Sequence, residues 1–433
     1  MNYRQFDDRR QELLGLPQVA KVAKIATVPF GDLWPADADG AKPLQCLVPF
    51  QLQDYIDDEF RATRRPATMP TVLEWNPTVD PSEFIRLVRE ALAAGALIVV
   101  PGDVGYVVLA NPATPATAQH LEAFAEYPPS LLAYTPDDAS SYGLEVPVVA
   151  KRLMIRAWPA PLVVGLAVDG ATLPTEWSEG VRQRLTADGL LRFRSPDHLL
   201  MEAIFPAVYA EGRGIPTLVM ETFLPNVEAA IERLGDAVAL AVSAGEQKAG
   251  RPTVVRTDAE GWRIVEEGEF GAEEVQRLAA RIVLFVCTGN TCRSPLAEGL
   301  AKKLLADRFG CNQEELPARG FWMLSAGVAA YGGGPASPES ADVAAEFGAD
   351  LLAHRSRPVN PQLLLAADDV IAMTRGHASA LAAQFPGIGP QPRLLCGDDD
   401  LDDPIGASLD VYRDCAKTIL NNLERFLPEW VRP

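Results

Sequence analysis

Cys287 and Arg293 stand six residues apart at the two ends of the run Cys287-Thr288-Gly289-Asn290-Thr291-Cys292-Arg293-Ser294. A cysteine is a strong nucleophile as a thiolate. An arginine grips two oxygens of a phosphate through its planar fork. Together they suggest covalent attack at phosphorus. Such a reaction also needs a proton for the leaving group. Far downstream, in the acidic stretch 398–403, Asp403 stands directly before Pro404 and Asp402 beside it. A loop aspartate before proline is held in extended geometry and can supply that proton.

The surrounding residues say how the pair is positioned. Ile282 to Val286 is an unbroken apolar run, the pattern of a strand buried on both faces of a parallel sheet. Gly289 and Asn290 tolerate positive φ and are expected to curl the loop's N–H groups inward. Pro295 suits a first helical turn, and Leu296, Leu300, Leu304 and Leu305 then recur at helical spacing. Strand, loop and helix start in this order place the thiol where free backbone N–H groups favour an anion.

With these pieces in place, residues 281–433 resemble the low-molecular-weight protein tyrosine phosphatases. The supporting segments come in family order: 286–295, Ser325-Ala326-Gly327, His354-Arg355-Ser356, Ala372-Met373-Thr374 with His377, and Asp403-Pro404. The resemblance implies a Rossmann-like parallel sheet with flanking helices. It implies Cys287 as nucleophile, Arg293 as phosphate clamp and Asp403 as general acid, then base. Thr288, Gly289, Asn290, Thr291, Cys292 and Ser294 would complete the phosphate-binding loop, with Ser294 hydrogen-bonding the thiolate and Asn290 holding the loop's shape. The intermediate would be a cysteinyl-phosphate, and the partner a phosphorylated protein.

Three positions bear on substrate. Phosphotyrosine enzymes of this family commonly carry aromatic residues after the Asp-Pro pair, where this chain has Ile405 and Gly406. They usually have a larger aliphatic residue at the position of Thr291. Threonine there resembles the bacterial protein arginine phosphatases of the same fold, so phosphoarginine is expected ahead of phosphotyrosine. Tyr331, in the variable loop, could still supply one aromatic wall. Cys292 could form a reversible disulfide with Cys287 that protects the nucleophile.

Length and composition bound the rest. A chain of 433 residues suggests two or three domains, and 48% hydrophobic with 22% charged residues is ordinary for a globular protein. The net charge of −19 argues against a general nucleic-acid binder. Six unevenly spaced cysteines do not read as a disulfide framework, and a catalytic thiol suits a reducing cytoplasm. There is no secretory core near the start and no apolar stretch long enough for a bilayer, so no membrane partner is expected. The four histidines, at 120, 198, 354 and 377, are scattered and expected at surface or capping positions. Neither metal nor cofactor is expected.

The front of the chain divides into an extension, 1–72, and an α/β region, 73–270. Short helices are expected near 4–14 and 51–61, an amphipathic helix over 81–94, and strands at 96–100, in 158–166 and at 191–194. The order loosely resembles the YrdC-type family, which includes threonylcarbamoyl-adenylate synthases. Arg194 fits that family's arginine and Thr253 its hydroxyl. Elsewhere the chain departs. The family's Pro-Thr-Glu-Thr turn has become Pro101-Gly102-Asp103-Val104, and its phosphate-handling Lys-Gly-Arg-Pro stretch falls near 125–128 with no basic residue. Its Ser-Ala-Asn segment falls near Met220-Glu221-Thr222, and a late arginine near Glu266 and Glu267. A triphosphate would be poorly compensated there. The expectation is a YrdC-like fold without synthase activity beside a phosphatase. Two alternatives stay open: a bifunctional protein that also makes threonylcarbamoyl-adenylate, or an RNA- or nucleotide-binding front half with a vestigial phosphatase.

Overall fold

The computed structural model describes residues 70–431 apart from 77, 79–80, 122–126, 169–172 and 209–214. The helices expected near 4–14 and 51–61 lie outside the described residues, as do Ala125 and Glu126.

Ten strands form the first sheet. They are β1 (Thr71–Glu74), β2 (Leu97–Pro101), β3 (Tyr106–Ala110), β4 (Ser130–Leu132), β5 (Leu162–Ala167), β6 (Leu190–Arg194), β7 (Leu218–Glu221), β8 (Val238–Ser243), β9 (Thr253–Asp258) and β10 (Gly261–Glu266). The spatial order is β1-β8-β2-β3-β7-β4-β6-β5-β9-β10, with parallel and antiparallel pairs mixed. The amphipathic stretch becomes α1 (Ser82–Ala93), which buries Val88, Ala91 and Leu92 and leaves Arg86 paired with Glu83 and Glu90 at the surface. One sheet face is closed by α1 and by α6 (Leu199–Val208), through Leu200, Met201 and Ile204. The other face packs against α4 (Val148–Ala157) and α8 (Ala272–Ala279), among other helices.

The second sheet has four strands, all parallel, in the order β12-β11-β13-β14. These are β11 (Arg281–Cys287), β12 (Phe321–Gly327), β13 (Asp369–Ala372) and β14 (Arg393–Leu394). Alternation along β11 decides which way the thiol points. Leu284 and Val286 face a core with Leu364 of α11 (Pro361–Ala366) and Leu381 of α12 (Arg375–Gln384). Val283, Phe285 and Cys287 face the opposite core, with Leu296 and Leu300 of α9 (Arg293–Phe309) and Ile419 and Trp430 of α13 (Leu409–Trp430). Cys287 is thus the last residue of β11 and lies on the side from which α9 returns.

The two sheets are tied through one carboxylate. Asp368 accepts from Arg152 Nε at 2.8 Å, from Arg156 Nη2 at 2.8 Å and from the backbone N–H of Ile282 at 2.7 Å. Arg156 also donates to Leu278 O at 2.9 Å, so α4 grips both the connecting segment and the second sheet.

Candidate active site

Helix α9 begins at Arg293, at the carboxyl end of β11, so its first N–H groups have no intrahelical acceptor. The loop 287–293 wraps the space in front of them. Cys287 Sγ lies 2.9 Å from Ser294 Oγ and accepts from the Asn290 N–H at 3.3 Å. Both Cys287 and Cys292 are free and buried, and Cys292 Sγ lies 3.6 Å from the Tyr412 hydroxyl.

Asn290 is the centre of the loop's rigidity. Its side-chain amide donates to Ser294 Oγ at 3.0 Å and to Ser325 Oγ at 2.9 Å, and its Oδ1 accepts from the Arg357 N–H at 2.9 Å. Its own carbonyl is 2.9 Å from His354 Nε2. These contacts hold its backbone at φ 55°, in the left-handed region. Of the two residues that tolerate positive φ, Asn290 adopts it and Gly289 does not. The side-chain contacts of Asn290 explain why it carries the turn alone. The network continues through Ser325 Oγ, which donates to Glu298 on α9 at 2.6 Å. Gly327 lets the loop approach β12, because a Cβ there would run into the Thr288 carbonyl and come within 3.0 Å of Asn290 N.

Two histidines differ from expectation. His377 is buried, and its Nε2 is 2.9 Å from Thr288 Oγ1 while its Nδ1 is 2.9 Å from Thr374 Oγ1. Burial pushes its pKa down. His354 and His377 brace the loop from behind rather than sitting at the surface. Sequence spacing carries no sign of this, since each contact joins residues 64 or 89 apart.

Arg293 reaches across the mouth of the loop. Its Nη1 donates to Leu401 O at 3.0 Å, and its Nη2 lies 2.5 Å from Asp403 Oδ2. Of the two neighbouring aspartates, Asp403 is the one in contact with it. The guanidinium is buried, while the carboxylate is 42% exposed. Thr291 is half-buried, its hydroxyl 3.7 Å from Cys292 Sγ. Tyr331 and Ile405 are exposed, at 92% and 68%.

In the first sheet, Arg194 is fully buried. Its guanidinium pairs with both oxygens of Asp103, with Glu221 Oε1 at 3.0 Å, and with the carbonyl oxygens of Ala160 and Ser195. Asp103 and Glu221 come from two of the segments that depart from the YrdC pattern. They are folded inward to neutralise the arginine. Thr253 is also committed internally: its hydroxyl donates to Phe270 O at 3.0 Å and accepts from the Phe270 N–H at 2.8 Å.

Two family models match the chain. Residues 282–432 match the model of the low molecular weight phosphotyrosine protein phosphatases. Residues 90–268 match that of the Sua5, YciO and YrdC proteins, described as telomere recombination. A protein-arginine-phosphatase of Bacillus subtilis is 37% identical over 153 residues, which span 34% of this chain and 95% of that protein. A second, from Geobacillus stearothermophilus, is 36% identical over 33% of this chain and 92% of its own length. A probable low molecular weight protein-tyrosine-phosphatase of Ralstonia solanacearum is 29% identical over 34% of this chain and 94% of its own length. Among the described residues, no helix is long and apolar enough to cross a membrane. Through residues 282–432 the chain belongs to the low molecular weight phosphotyrosine protein phosphatase family.

Proposed function

We propose that residues 281–433 form a domain that removes phosphate from protein side chains, with phosphoarginine preferred over phosphotyrosine. The observation that carries this reading is the arrangement at the head of α9. A buried thiol lies 2.9 Å from a serine hydroxyl, and an Arg293–Asp403 pair stands at the mouth. A substrate phosphate takes the place of the Asp403 carboxylate on Arg293, with loop N–H groups around its remaining oxygens. Ser294 stabilises the Cys287 thiolate, which attacks phosphorus in line. The S–P bond forms as the bond from phosphorus to the leaving nitrogen or oxygen breaks. Protonated Asp403 gives its proton to that leaving atom. Water then attacks phosphorus, Asp403 takes a proton from it, and the S–P bond breaks to release inorganic phosphate and the thiolate.

The substrate preference is supported by Thr291 in the loop and by the absence of an aromatic residue after Pro404. It is also supported by the two relatives named as arginine phosphatases. The test compares kcat/KM on a phosphoarginine protein and a phosphotyrosine peptide. The reading expects at least a tenfold advantage for phosphoarginine, and a phosphotyrosine advantage of that size would reverse it.

For the front domain, placed at 73–270, the reading is a YrdC-like fold that makes no threonylcarbamoyl-adenylate. The support is the consumption of Arg194 by Asp103 and Glu221, and the acidic Glu266 and Glu267 where the family has an arginine. Pyrophosphate release from ATP in the presence of threonine and bicarbonate would overturn it.

A further inference from the structure

The first sheet carries a cavity of about 360 Å³ that the phosphatase reaction does not use. Its floor is formed by Ser130, Arg192 and Glu221, on the adjacent strands β4, β6 and β7. Tyr127, Phe223 and Arg251 stand on one side, and Glu266 and Glu267 contribute carboxylates.

Two buried polar atoms on this floor have no hydrogen-bond partner among the described residues: Arg192 Nη1 and Glu221 Oε2. The rest of each group is well held. Arg192 is 4% exposed at its side chain, with Nη2 at 2.7 Å from Asp188 and 2.8 Å from Glu266. Glu221 is 11% exposed, with Oε1 on Arg194. A native fold rarely leaves such groups unmet unless something occupies the space beside them. The missing partners are opposite in kind: an acceptor for Arg192 and a donor for Glu221.

The wall and the charge narrow the ligand further. The Tyr127 and Phe223 rings meet edge to face at 4.6 Å, and the Arg251 guanidinium lies 5.1 Å and 4.7 Å from their centroids. The cation on these two faces is the chain's own Arg251, so the wall is aromatic and already carries its positive charge. Phe223 holds its place at φ 58°, which is uncommon for an aromatic residue. Taken with their ion-pair partners, the charged groups that line the cavity are Arg192, Arg194 and Arg251 against Glu221, Glu266, Glu267, Asp188 and Asp103, a negative excess of two. A triphosphate would be repelled, and a neutral zwitterion would leave the negative excess uncompensated.

We propose that this cavity binds a free basic amino acid. Its carboxylate would meet Arg192, an N–H of its cationic groups would meet Glu221, and its extra positive charge would be balanced by Glu266 and Glu267 beside the aromatic wall. This does not depend on the reaction at Cys287.

The test is calorimetric titration of the full chain with arginine, lysine, agmatine, threonine and ATP, with melting temperature as a second readout. Arginine or lysine is expected to bind and to raise the melting temperature. Agmatine, which lacks the carboxylate, and threonine, which lacks the side-chain cation, are expected to bind at least tenfold more weakly. Glu221→Gln is expected to weaken arginine or lysine at least tenfold. Glu267→Gln, at the wall rather than the floor, is expected to weaken it severalfold with the unliganded melt unchanged. Threonine binding as tightly as arginine and lysine, or insensitivity to Glu267→Gln, would overturn the proposal. Silence of both basic amino acids at millimolar concentration would overturn it while leaving the loss of synthase activity standing. Tight ATP binding would overturn both.

Discussion

Arg293 and Arg194 are the same residue type with opposite fates. Each is buried and ion-paired to an aspartate, and each lies near the carboxyl end of a strand. Asp403, the partner of Arg293, is 42% exposed, so a phosphate arriving from solvent can displace it. Asp103 and Glu221, the partners of Arg194, are 8% and 11% exposed and cannot leave without stranding charge in the core. An ion pair open on one side can serve a reaction, and one closed on all sides holds a fold. The two non-glycine residues at positive φ among the described residues repeat the contrast. Asn290 uses its turn to knit a loop around a thiol, and Phe223 uses its own to place a ring over an arginine.

The largest expected effect is at the thiol. Cys287→Ser should lower kcat by on the order of 10⁴ or more, while the melting temperature stays near that of the parent. A stopped-assay time course on either phosphorylated substrate reads it, and retained turnover would remove the nucleophile from the account. The corresponding break in the first sheet is Arg194→Met. It leaves Asp103 and Glu221 buried without a countercharge, and denaturant unfolding should report a loss of about 3–5 kcal/mol. The kcat of the molecules still folded should not change, because no atom of Arg194 reaches the loop.

Asp403→Asn removes the proton donor and should lower kcat by roughly 10²–10³ on a substrate with a poor leaving group. The loss should shrink on an activated aryl phosphate, whose leaving group departs without a proton. An equal loss on both would mean that Asp403 acts by holding Arg293 in place. Asn290→Ala removes three side-chain hydrogen bonds and leaves a strained turn. A stability loss of about 2–3 kcal/mol is expected. A fall in kcat of about one factor of ten should accompany it.

The smallest effect is a pH dependence in the first domain. His198 is held neutral by burial, its pKa pushed down to about 4, and its Nδ1 accepts from the Leu200 N–H at 3.1 Å. Because the folded value lies below the unfolded one, the unfolded chain takes up the proton first. Stability should therefore fall as pH drops from about 6.5 towards 4, by roughly 1–2 kcal/mol after solvent screening. His198→Gln should flatten that slope in urea unfolding series, and an unchanged slope would place the acid sensitivity elsewhere.

How much of this was legible follows from the range of each interaction. Strand β11, the loop and α9 could be read because their signals are local. An apolar run, an Asn-bearing turn and a proline in the first helical turn lie within 281–295. Asp403 was legible through its proline. Of the braces, His354 and His377 showed only as members of family segments, and what they hold did not show. His354, Arg357 and His377 reach the loop from 64 to 89 residues away, and no local pattern marks a residue that will fold back onto a distant carbonyl. In the first domain the missing cations and added carboxylates were visible as departures from a family pattern. Their consequence was not, because Asp103 meets Arg194 across 91 residues of chain and Glu221 across 27. The cavity beside them was invisible for the same reason: its floor needs three strands brought together out of sequence order.

The central claim is that Cys287 carries the phosphate between substrate and water. Rapid acid quench of the full chain during turnover, followed by peptide mapping, reads this directly. The account predicts phosphate on the peptide containing Cys287, on its sulfur, formed and lost at rates no slower than kcat. Phosphate found on another residue, or turnover with no phosphorylated enzyme and no loss in Cys287→Ser, would contradict it.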